Sequence, residues 1–109
     1  MNERDRRLAL EIKKRLSLRL RQHLKKLIIF GSRARGEATD ESDLDLVALV
    51  DEKTPEIERA LEDIVYQVMW DHDFKPVISL KVFNESQFNE AVRKGFSFYG
   101  NVHKEGVAV

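Results

Sequence analysis

The sequence predicts an α/β (α+β) domain, with a small mixed sheet of about three to four strands flanked by helices. Two observations carry this. Short apolar, β-branched runs end at turn residues, as strands do. Around them lie longer stretches in which apolar residues recur at helical spacing, giving the order α-β-(short α)-β-α-β-α.

The elements follow in order. Leu8, Ile12, Leu16, Leu20 and Leu24 recur every four residues among Arg and Lys, which predicts one basic amphipathic helix over about 3–25. Leu27-Ile28-Ile29-Phe30, stopped by Gly31, reads as a buried strand. Leu44 to Val50 reads as a second strand, covered on both faces because both alternating sets turn apolar after Asp45. Thr54-Pro55 pairs a capping side chain with a proline at the first helical position, and opens an acidic helix over about 55–70. Its stripe is Ile57, Leu61, Ile64, Val65 and Val68. A third strand is expected over 77–83. Asn84 should cap the next helix, with Phe83 and Phe88 placed as a hydrophobic staple. That helix should end near Gly95, and the apolar tail after Phe96 should pack on something, so 84–109 is read as a C-terminal helix and tail.

The whole, 1–109, is expected to be a single domain, a length suited to one core. Hydrophobic residues at 42% with nine aromatics exclude a disordered chain. No apolar run approaches a membrane span and the charged start lacks a signal-peptide core, so a cytoplasmic protein without membrane association is the expectation. The absence of cysteine removes disulfides, thiolate nucleophiles and Cys-based zinc sites. The zero net charge is a cancellation: residues 1–26 hold ten Lys or Arg against three acids, residues 37–63 two against eleven. The default reading of the basic helix is solvation or pairing with the acidic one. Contact with an acidic partner or RNA is its second use.

Chemistry concentrates in 31–45. Gly31-Ser32, between a strand and a short helix, offers backbone N–H groups, a hydroxyl and room for close approach, which suits a phosphate. Arg33 and Arg35 could add charge-assisted contacts to the same anion. Read alone, this piece fits a tight turn with solvated arginines equally well. Asp43 and Asp45, at i and i+2 on a strand, share a face and repel unless a cation lies between them. Oxygen-only ligands suit Mg²⁺ bound jointly with nucleotide phosphates; the bland alternative is a solvated acidic loop with Asp40 and Glu41. Together the two halves meet the needs of nucleotidyl transfer, namely a held triphosphate and a metal that aligns the attack.

Gly31-Ser32, ten residues, then Asp43-Leu44-Asp45 resembles the signature of the DNA polymerase β-like nucleotidyltransferase superfamily. Within it, the chain is most similar to the minimal nucleotidyltransferase branch, often paired with a helical HEPN partner. The likeness extends over the basic helix, the acidic helix, the third strand and the ending Phe98-Tyr99-Gly100-Asn101-Val102 through Glu105-Gly106-Val107. It implies a nucleotidyltransferase fold, with Gly31 and Ser32 on the β- and γ-phosphates and Asp43 and Asp45 on one or two Mg²⁺ ions. The implied function is Mg²⁺-dependent transfer of NMP from ATP or another NTP to a hydroxyl of a protein or RNA. The alternative it implies is an antitoxin-like partner of a separate HEPN-type RNase, with weak or lost transferase activity. An oligomer is compatible with either.

One departure stands out. Such transferases generally carry a third carboxylate on a later strand, to complete the metal site and help deprotonate the acceptor. Here that strand, Pro76 to Phe83, holds no acid. Ser79 is the expected occupant of the place, with Asp71 or Asp73 as substitutes from the preceding loop. Elsewhere, His23 reads as a helix-end cation, His72 between Asp71 and Asp73 as a weak imitation of a general-base pair, and His103 as a tail residue without a partner.

Overall fold

A computed structural model describes residues 1–39 and 41–109. The described elements are α1 (Glu3–Arg15), α2 (Leu18–His23), β1 (Leu24–Phe30), α3 (Ser32–Arg35), β2 (Leu44–Val50), α4 (Pro55–Asp71), β3 (Ile78–Asn84), α5 (Glu85–Arg93), α6 (Ser97–Glu105) and β4 (Val107–Ala108). Asp40, counted above within the acidic loop, lies outside the described residues.

The expected helix over 3–25 is two helices, and this is a correction. At about 100° per residue a strict four-residue repeat drifts about 40° each step, so Leu8 and Leu24 could not face one core from a straight rod. The chain breaks where a cap is at hand. Leu16 is extended, and the Ser17 side chain accepts from the Leu20 N–H to start α2. Leu16 thereby stays buried while Leu18 is 75% exposed, and Leu24 joins β1.

The sheet is mixed and open, in the order β3-β2-β1-β4. β1 and β2 run antiparallel with Ile28 opposite Val47 and Phe30 opposite Asp45. β2 and β3 are parallel, as the intervening α4 requires, with Asp45 beside Ser79 and Val47 beside Lys81. Thr54 caps α4 through the Ile57 N–H, and Pro55 fills its first position. Asn84 caps α5 in the same way through Gln87, with Phe83 and Phe88 in ring contact.

The period-2 alternation of β2 separates two apolar layers. Leu44, Leu46, Ala48 and Val50 face Leu8, Ile12 and Leu16 of the basic segment and Leu61, Val65 and Val68 of α4. Val47 and Leu49 face Phe88 and Val102, with Phe30, Phe83, Phe98 and Tyr99 packed around them. The apolar tail forms α6 and a short fourth strand on β1, joined at Gly106, where a Cβ would overlap the Val102 carbonyl oxygen of α6 and the Ile28 side chain of β1. Among the described residues no helix is long and apolar enough to cross a membrane.

Candidate active site

The predicted site residues converge at the end of β1 and the start of β2. Antiparallel pairing sets Phe30 opposite Asp45, so the residue after Phe30 turns over the Asp45 side chain. That residue is Gly31, at φ +77° and ψ −156°, a conformation essentially confined to glycine. A Cβ there would lie 2.7 Å from Asp45 Oδ2. Glycine therefore permits both the turn and the direct stacking of its backbone on the carboxylate. Ser32 opens the single turn of α3, whose other end closes at Gly36 with φ +75°.

Asp43 is exposed just before β2, and Asp45 is half-buried within it, flanked by Ser79 on β3. Burial pushes the Asp45 carboxyl above its ordinary pKa, and the neighbouring Asp43 charge adds to the rise; Lys81 and Arg33 act in the opposite sense. The pair sets two carboxyl groups close together, and it carries only oxygen donors. That donor set fits a hard divalent cation. Phe30, opposite Asp45 across the strand pair, is met edge-on by Phe98 at 5.7 Å, which sets an apolar ring pair next to that carboxylate's strand position.

The arginines divide. Arg33, expected on a phosphate, is turned inward. The residue is 8% exposed. Nη1 donates to both oxygens of Asp5 at 3.0 and 3.2 Å, while Nε and Nη2 donate to the Ser42 carbonyl at 3.0 and 2.6 Å. A guanidinium committed to a buried carboxylate and a loop carbonyl has its fork already filled. Asp5, 1% exposed, was not singled out from the sequence. The signal was present: Asp5 lies three residues before Leu8 and seven before Ile12, on the apolar stripe of α1. Arg35 remains exposed at the turn, paired with Glu37 at 3.1 Å and with Glu105 of α6 at 3.4 Å, which raise its pKa, Glu37 the more.

No later carboxylate joins Asp43 and Asp45: among the described residues no group of three or more His, Asp or Glu is placed to hold a metal ion. Asp71 is paired with Arg15 at 2.6 Å, and Asp73 lies in the turn after α4. Ser79 stands beside Asp45, where the third acid was sought. His72 meets Glu11 at 3.1 Å, not its sequence neighbours, and His23 meets Asp51 at 2.8 Å beyond the far end of β2, where it lowers the Asp51 pKa. His103 is exposed on α6. A cleft of about 610 Å³ opens between α2 and the start of α4, lined by Arg19, Leu20, His23, Thr54 and Glu56 among others; it contains none of the predicted site residues.

A mixed sheet of this order, with a glycine turn packed on a strand aspartate, is the framework of a nucleotidyltransferase domain. The family model described as Nucleotidyltransferase domain matches residues 7–105, and the chain belongs to that family. Two similar proteins, both from Methanocaldococcus jannaschii, carry the name Putative protein adenylyltransferase. One is 32% identical over 91 residues, covering 84% of this chain and 83% of its own. The other is 34% identical over 89 residues, covering 78% and 89%. No solved structure matches the sequence. The general chemistry of the family is transfer of a nucleoside monophosphate from a nucleoside triphosphate with a divalent metal ion.

Proposed function

We propose that this chain is a Mg²⁺-dependent adenylyltransferase that uses ATP and transfers AMP to a hydroxyl of a protein, with RNA as the other acceptor class. The observation that carries this reading is the stacking of the Gly31 backbone on Asp45 Oδ2, which brings a phosphate-holding turn and a carboxylate pair within one nucleotide's reach. The printed names of the two relatives favour a protein acceptor.

In this reading the Gly31 and Ser32 backbone N–H groups and the Ser32 hydroxyl hold the β- and γ-phosphates. Arg35 exchanges its exposed carboxylate partners for phosphate oxygen, a small cost because solvated ion pairs are weak. Asp43 and Asp45 hold the divalent ion, which when bound neutralises the triphosphate and polarises the α-phosphate. The acceptor oxygen forms a bond to the α-phosphorus as the bond to the bridging oxygen breaks and pyrophosphate leaves. Ser79 does not serve as a base at neutral pH, so the acceptor proton passes to water. The site accordingly favours holding nucleotide over rapid transfer.

The test is a thermal shift with ATP and Mg²⁺, followed by incubation of the protein with labelled ATP, Mg²⁺ and native lysate. A shift lost in Asp43→Asn plus Asp45→Asn, with label entering a macromolecule, is expected. A shift that survives the double substitution refutes the site.

A second reading is the antitoxin-like partner of a HEPN-type RNase. It is favoured by Tyr66 and Trp70, which stand largely exposed on α4 in mutual ring contact with Phe74. Co-purification from the native host distinguishes it: a chain that returns alone and monomeric counts against a stable partner.

A further inference from the structure

The first turn of α1 holds two loops from which the site strands begin. Asn2 caps the helix by accepting from the Arg4 N–H. Arg4 then donates to the Lys75 carbonyl, in the turn before β3. Asp5, one residue on, accepts both bonds from Arg33 Nη1. Arg33 Nε and Nη2 both donate to the Ser42 carbonyl, with Nη2 also reaching the Thr39 carbonyl at 3.4 Å. Thr39 and Ser42 also bond to each other, Thr39 N–H to Ser42 Oγ and Ser42 N–H to the Thr39 carbonyl, each at 3.1 Å.

The Ser42 carbonyl matters because it belongs to the same planar peptide as the Asp43 N–H. Gripping that oxygen from two directions fixes the plane, and so the axis about which Asp43 turns its carboxylate. On the other side Asp43 is followed by Leu44, fully buried, whose N–H donates to the Val77 carbonyl at 2.9 Å. An exposed aspartate is thereby held between two anchored neighbours.

A buried ion pair is a poor means of adding stability, since apolar residues of similar volume often serve as well or better. Its geometry is what apolar residues cannot reproduce. We propose that Asp5 is a positioning residue for the nucleotide site, acting through Arg33 on the Ser42 carbonyl to aim the Asp43 carboxylate. This rests on the reading of Asp43 as a metal ligand. Partners of that outer kind typically change metal affinity ten- to a hundredfold when removed.

The experiment measures Mn²⁺ binding by electron paramagnetic resonance, with ATP present, on the full chain. The variants are Asp5→Leu plus Arg33→Met, which keeps an apolar fill, and Arg33→Lys, which keeps the charge but loses the fork. Arg15→Met is the control, because it frees the opposite end of α1 from Asp71 without touching the loop. The expected result is folded protein by circular dichroism whose Mn²⁺ affinity falls about tenfold or more in the double variant, falls by less in Arg33→Lys, and stays within about twofold in Arg15→Met. If the double variant does not fold, the fall in Arg33→Lys carries the same conclusion. A melting temperature that moves while Mn²⁺ affinity stays at the wild-type value overturns the proposal and makes the pair purely structural. If Asp43→Asn itself leaves Mn²⁺ affinity unchanged, the metal reading fails, and this inference with it.

Discussion

Replacing Gly31 by alanine separates the two reasons why glycine occupies the turn. The backbone conformation, φ +77° and ψ −156°, costs a residue with a side chain about 1–3 kcal/mol. The added Cβ would also stand 2.7 Å from Asp45 Oδ2, closer than such atoms approach, so the carboxylate must swing aside. Taking about 2 kcal/mol for the sum in a domain of this size, the melting temperature should fall by roughly 10 °C. The two contributions part in a double-mutant cycle with Asp45→Ala, followed by thermal denaturation. Strain persists when the carboxylate is gone, whereas the overlap does not. Gly31→Ala should therefore cost about 1 kcal/mol less in the Asp45→Ala background. Gly36→Ala is the internal comparison, since Gly36 has φ +75° but open space where its Cβ would go. It should cost about 1 kcal/mol in both backgrounds. Equal costs of Gly31→Ala with and without Asp45 would refute the close approach that joins the two halves of the site. A cost below about 0.5 kcal/mol would refute the strained turn as well.

Two further outcomes follow from the charges. The Asp45 pKa is raised in the folded chain, so the native state binds the proton more readily than the unfolded one and stability falls as pH rises through that region. Asp45→Asn should consequently raise the melting temperature at neutral pH, with the gain fading to nothing below the unfolded carboxylate value of about 3.9; a gain independent of pH would contradict the cause. Arg33→Ala strands a carboxylate that is almost wholly buried and should cost about 3–5 kcal/mol in urea denaturation, whereas Arg35→Ala loses only exposed pairs and should cost less than about 1 kcal/mol. Similar costs for the two would show that the Asp5–Arg33 pair is not desolvated as described.

The arginines also show what was legible in the sequence and what was not. Strand character at Leu27–Phe30 and Leu44–Val50, the cap at Thr54-Pro55 and the pairing of glycine turn with aspartate strand all rest on local rules, which act over a few residues. The placement of the arginines depended on a distant partner. Arg33 and Arg35 sit two apart in one motif, yet one faces a buried carboxylate on α1 and the other faces water, because α3 is a single turn and alternate positions on it point in different directions. Nothing within the motif reveals which of them meets Asp5, twenty-eight residues away. The break at Ser17 was visible as a capping residue inside the basic run, but the four-residue repeat of leucines concealed it. The fourth strand is two residues long and exists only because β1 offers an edge; it has no periodicity to read.

The charge around the aspartates is modified at β3. With Ser79 beside Asp45 where an acid was sought, the nearest charge the third strand adds is Lys81, a cation two residues further along the same face. Under the proposed reading this trades one function for another. An additional carboxylate would strengthen the grip on a divalent ion and provide a base, but it would raise the Asp45 pKa further and repel the triphosphate. Lysine lowers that pKa and attracts the same triphosphate, while offering nothing that deprotonates an acceptor. The balance moves the site toward holding nucleotide and away from rapid turnover. It also places the burden of specificity on the acceptor, whose hydroxyl must arrive well aligned and ready to lose its proton.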